Sequence, residues 1–193
     1  MKKFSRQLQV QLGQDAVLMT FFHDRQPSVK VLMNGMANSL QRRIDTICST
    51  HSCNEDSFAT ALVQTCPEVT LYEQRDLKKD LRDNVECSRY LFQVLLGKNW
   101  KREACYAAID KPLRDLLKKG YIFPRTPAPG DIVAYGYCDD FLGNIPQQLL
   151  HVGLLLKNGL VRSKWCQGNV FDHPVHGVDS QCGNQALFLR AKA

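Results

Sequence analysis

The chain has 193 residues, 44% of them hydrophobic and 23% charged, and 25 basic against 19 acidic side chains give it a net charge of +6. That composition excludes a wholly disordered chain, and the length is that of one domain able to bury a core without a metal or disulfides. No apolar run approaches the roughly 20 residues that cross a bilayer, so no membrane span is expected.

The start, MKKFSRQLQVQLGQD, has a basic tip but neither the apolar stretch nor the small-residue cleavage site of a secretory signal. The expected location is therefore the cytoplasm, or outside the cell after export without a cleavable signal. The basic residues are scattered, with no long basic run carrying interleaved aromatics, so no nucleic-acid partner is expected. A mild positive field suits an anionic substrate such as a cell-wall polymer or an acidic protein. Eight cysteines, at 48, 53, 66, 87, 105, 138, 166 and 182, form no tidy framework. Without a leader they read as reduced thiols, and no structural disulfide is expected.

In chain order, Ala16 to His23 and Ser28 to Met33 are β-branched and apolar enough to pair as a hairpin. Met36 to Ser49 has helical spacing at Leu40, Ile44 and Ile47, and Asp56 to Gln64 is a second helix. Leu71 to Arg82 reads as a solvent-facing helix or a loop. Val85 to Leu96 carries the apolar stripe Tyr90, Leu91, Val94 and Leu95, closed by Gly97. Asp110 to Lys119 is a further helix, capped by Asp110 with Pro112 in its first turn. After Gly130 the period shortens. Ile132 to Tyr137, His151 to Leu156, Leu160 to Trp165, Asn169 to Val175 and Ala186 to Leu189 read as short strands. Asn158-Gly159 joins the second to the third as a hairpin. Helices followed by an antiparallel sheet argue for an α+β fold.

The chain contains none of GxxxxGK[ST], GxGxxG, HExxH and GxSxG, which lowers the weight of nucleotide enzymes, zincins and α/β-hydrolases. Cys48, His51, Cys53 and Cys66, and a second loose set of Cys166, His173, His176 and Cys182, lack the spacing of a zinc module, so no metal or other cofactor is expected. Cys87 stands in the first turn of its helix, where unpaired N–H groups favour a thiolate and an oxyanion; the competing reading is a small buried residue of the apolar stripe. His151 opens the strand HVGLLL at the rim of a core, where a base meets a nucleophile.

The series ECSRYLFQVLLG, PAPGDIVAYGY and HVGLLLKNGLV resembles the NlpC-type cysteine peptidases, a papain-like group that includes many cell-wall amidases. The resemblance covers Asn84 to about Val178. The family's usual Asp-Cys-Ser-Gly is Glu86-Cys87-Ser88-Arg89 here. The resemblance implies a papain-like α+β fold, with helices packed on a twisted antiparallel sheet. It makes Cys87 the nucleophile and His151 the base of a cysteine hydrolase that cleaves an amide or peptide bond without a cofactor. Its substrate would be a peptide or protein, including peptidoglycan peptide. The residue orienting the base is His173 or Ser163, with His173 favoured because imidazole more readily fixes a ring tautomer. The implied organisation is an accessory segment over residues 1–70 and the hydrolase domain over 71–193. Two alternatives share the fold: a deamidase or transacylase effector acting on a host or rival protein, and a catalytically inactive interaction module.

Overall fold

The computed structural model describes residues 9–11, 16–23, 26–33, 39–53, 55–73, 87–97, 118–137, 148–165 and 168–192. The helix expected over residues 110–119 lies almost wholly outside them. The architecture is α+β, with one antiparallel sheet.

The strands are β1 (Gln9–Gln11), β2 (Ala16–His23), β3 (Gln26–Met33), β4 (Thr70–Glu73), β5 (Tyr121–Ile122), β6 (Ile132–Tyr137), β7 (Gln148–Leu155), β8 (Val161–Lys164), β9 (Val170–His173) and β10 (Gln185–Ala191). Their order across the sheet is β1-β2-β3-β10-β6-β7-β8-β9-β4, with β5 pairing the end of β10. The helices are α1 (Ser39–Thr50), α2 (Asp56–Thr65) and α3, which starts as α-helix at Cys87–Arg89 and continues as a π-helix over Tyr90–Leu95. Leu71, expected in a helix or loop, instead lies in the edge strand β4, paired with Phe171 of β9.

Strict period-two alternation divides the central strands between two faces. On the first face Val133, Tyr135, Ala186, Phe188, Leu155, Val161 and Phe171 pack with Leu40, Ile44 and Ile47 of α1 and Phe58 and Leu62 of α2. On the second face Ile132, Ala134, Val152, Leu187 and Leu189 pack with Leu91 and Phe92 of α3. The sheet is thus sandwiched between α1–α2 and α3, which explains why β6 and β10 read as near-continuous apolar runs. Residues on both sides of position 70 contribute to the first core. β3 pairs with β10 in register, Val31 opposite Ala186, and α1 and α2 supply six of the seventeen buried residues of the first core.

Two local devices fix the sheet around the candidate residues. Asp131, of the Pro-Gly-Asp stretch, is buried; its Oδ2 accepts the Ala128 N–H at 2.8 Å, and it meets Arg190 through two contacts of 2.6 and 2.8 Å. This ties the turn before β6 to the end of β10. The Asn158-Gly159 hairpin forms as the sequence indicates. Leu156 N–H donates to the Leu160 carbonyl, leaving a three-residue loop in which Gly159 takes the left-handed φ of +80°. Leu155 then stands opposite Val161, and Leu154 opposite Arg162.

Candidate functional site

The hairpin register decides where the two candidate orienters stand. The pairing of Leu155 with Val161 and Leu154 with Arg162 extends to Gly153 opposite Ser163, so close that a Cβ built on Gly153 would lie 3.0 Å from the Ser163 Cβ. Ser163 therefore shares a face with Gly153, and with His151 two residues before it. His151 itself is opposite Tyr135, their ring centroids 5.6 Å apart. His173 is opposite Val161. All three polar residues thus lie on the first face, beneath α1 and α2.

His173 and Ser163 bond to each other. Nδ1 of His173 is 2.8 Å from the Pro174 carbonyl oxygen, which can only accept, so Nδ1 carries the proton. Nε2 is then the acceptor for the Ser163 hydroxyl at 2.8 Å. Trp165 Nε1–H donates to the same Ser163 Oγ at 3.0 Å. The string Trp165–Ser163–His173–Pro174 is complete, and neither candidate orienter has a nitrogen or hydroxyl directed to His151.

His151 is 5% exposed, and its Nε2 has no hydrogen-bond partner. Burial pushes its imidazole down to about 3, with the neighbouring His173 adding to the shift. His173 is also pushed down, to about 4, mainly by burial and against the pull of its bond to Pro174. Both rings are neutral at physiological pH, and a base so weakened holds a proton poorly.

Cys87 stands elsewhere. It heads α3, is half-buried, and packs against the cluster of the second face. Its thiol is an electrostatic neighbour of Cys182, in the 3-10 turn before β10. Cys87 packs against the second-face cluster, while His151 pairs with Tyr135 of the first in the regular part of the β6–β7 ladder. A bulge adjoins that pair. Tyr135 pairs with His151 and Gly136 with Leu149, so Leu150 is an extra residue in β7, immediately before the histidine.

The thiols divide into two kinds. Cys53 is disulfide-bonded, which overturns the expectation of eight reduced thiols. Cys48, Cys66, Cys87 and Cys182 are reduced. Burial, with Asp179 adjoining, raises the Cys48 and Cys182 thiols, so neither is a ready nucleophile. Among the described residues no group of three His, Cys, Asp or Glu side chains is placed to hold a metal ion. Nor is any helix among them long and apolar enough to cross a membrane.

No family model, no curated protein and no solved structure matches this chain.

Two residues that the sequence reading passed over belong to this region. Tyr135 is fully buried beside His151, and its hydroxyl has no partner. Gln185 is fully buried at the start of β10, and neither atom of its amide is bonded. A signal existed for each. Tyr135 falls on the inward parity of IVAYGY, and Gln185 is the one polar residue opening the apolar run ALFL.

Proposed function

We propose that this chain is a papain-like module of the NlpC type that engages a peptide or protein partner without hydrolysing it through Cys87 and His151. The papain-like part rests on Cys87 at a helix start, the Pro-Gly-Asp-Ile-Val strand and the His-Val-Gly strand, in that order, and on the antiparallel neighbours β10, β6, β7, β8 and β9. What supports the non-hydrolytic part is the packing: the His151 ring stands beside Tyr135 of the first-face cluster, whereas Cys87 packs against the second-face cluster. Acyl transfer needs the base within hydrogen-bond reach of the nucleophile. Of the two expected locations, the Cys53 disulfide favours export, because reducing compartments keep thiols reduced.

A second reading, the cysteine hydrolase, has a specific feature in its favour. His151 adjoins the Leu150 bulge, and moving that bulge past it would turn the imidazole to the face of Cys87. His151 would then take the Cys87 proton, the thiolate would attack an amide carbonyl, and water would release the acyl-enzyme.

Alkylation of Cys87 by iodoacetamide, followed across pH in the native protein and in His151→Ala, separates the two. The module reading predicts a profile that rises only near the ordinary thiol value of about 8.5 or above, the same in both proteins. Fast reaction well below pH 8 that disappears in His151→Ala would replace it with the hydrolase.

A further inference from the structure

The stretch before β10 runs along one face of α1. Gln41 Nε2 donates to the Val178 carbonyl at 3.3 Å, and the Ser180 N–H donates to Asp45 Oδ1 at 2.8 Å. Both chains advance from the first contact to the second, so the two segments run parallel. They also keep pace. Gln41 to Asp45 is about 6 Å of α-helix, and Val178 to Ser180 is about 6 Å of chain, extended at Asp179 with φ −55° and ψ 140°.

The next matched pair is Cys48 with Cys182. Cys48 follows Asp45 by three residues on the same helix face, about 4.5 Å further on. Cys182 follows Ser180 by two residues of the 3-10 turn, about 4 Å further on. Both thiols are half-buried and reduced, and both pack against the first core, which lies under α1. The turn is held from β6 as well, since the Tyr137 hydroxyl donates to the Ser180 carbonyl at 2.6 Å. Cys48 is among the groups that raise the Cys182 thiol, and Asp179 adjoins both.

We propose that Cys48 and Cys182 are an oxidation site, a thiol pair that closes to a disulfide between α1 and the turn before β10 on meeting a small disulfide oxidant such as oxidised glutathione. One thiol, deprotonated by buffer, attacks a sulfur of the oxidant and expels a glutathione thiolate, leaving a mixed disulfide. The other thiol gives its proton to buffer, attacks the protein sulfur of that bond and expels the second glutathione thiolate. Each thiolate released takes a proton from buffer, and two electrons pass from the pair to the oxidant. The product is uncharged, so it escapes the desolvation and the neighbouring carboxylates that penalise a thiolate here. The same penalty slows the first attack, which keeps the pair reduced while Cys53 is bonded. The site needs no chemistry at Cys87 or His151.

The test incubates the native full chain with a defined mixture of oxidised and reduced glutathione at pH 8. Free thiols are blocked in denaturant, and disulfides are then reduced and labelled with a second reagent. Fragment-ion mass spectrometry assigns each cysteine its label, and an unreduced peptic digest identifies the cross-linked peptides.

Cys48 and Cys182 should leave the free-thiol pool together and to the same extent, joined to each other, while Cys66 and Cys87 stay free. In Cys48→Ser, Cys182 should form no bond within the chain. The oxidised native protein should melt about 5 °C or more above the reduced one, because the link constrains the unfolded chain. A pair that stays free at equilibrium, or a Cys182 joined instead to Cys87, overturns the proposal, and neither reading depends on the variant folding. An oxidised native protein that melts lower also overturns it, since thiols already matched across the two segments close without distorting the fold.

Discussion

Acid should destabilise this protein between pH 7.5 and 5, and the cause should be His151 and His173. Both are buried and neutral, held near 3 and 4 respectively by desolvation above all. In the unfolded chain each returns to about 6.5. The folded values are depressed, so the unfolded state binds more protons, and stability is present above the unfolded pKa and lost as pH falls toward the folded ones. At pH 5 the native rings are still neutral, so the loss depends almost wholly on the unfolded value. One and a half pH units at about 1.4 kcal/mol each give about 2 kcal/mol per histidine, or about 4 kcal/mol for the pair. That is a large part of the roughly 5–15 kcal/mol that holds a domain folded.

Urea unfolding at pH 7.5, 6.5, 5.8 and 5 measures the effect. His151→Leu should remove about half of the loss, since the ring has no Nε2 bond to forfeit and a leucine suits the apolar face. Carboxylates with depressed values, such as Glu68 beside Arg43, act mostly below this window. A stability flat from pH 7.5 to 5, or an unchanged loss in His151→Leu, would refute the argument that these rings are buried neutral.

Three further outcomes follow from the same contacts. Asp131→Ala removes both the Ala128 N–H acceptor and the Arg190 partner, and should lower unfolding free energy by about 2 kcal/mol in urea titration. Gly183→Ala meets the Gly136 backbone from a residue whose φ is +118°, so it should cost at least about 2 kcal/mol, seen as a lower melting temperature. Alkylation of the denatured, unreduced protein should label Cys48, Cys66, Cys87 and Cys182 and spare Cys53, which mass spectrometry resolves.

The secondary structure was legible where local chemistry is strong. The 3.6-residue spacing of Leu40, Ile44 and Ile47 gave α1 to within a few residues, and the β2–β3 hairpin and the Asn158-Gly159 turn formed as read. The turn even set the parity that puts Ser163 with His151. Legibility ended at questions of side. A strand's sequence says which residues share a face but not which helix covers that face, because long-range packing settles it. Cys87 lies in a helix and His151 in a strand, and the side of the histidine is fixed by its long-range pairing with Tyr135, which no local pattern in HVGLLL specifies. The Cys53 disulfide was missed for a different reason: cysteine spacing carries no connectivity.

The central claim is that His151 and Cys87 face opposite sides of the sheet, and an NMR titration of the His151 imidazole nitrogens tests it most directly. The account predicts a ring that stays neutral from pH 8 down to below pH 5, with the same titration in Cys87→Ala. A His151 that titrates above about 6.5 in the native protein and falls in Cys87→Ala would contradict it, because only a thiolate beside the imidazolium raises the value in that way.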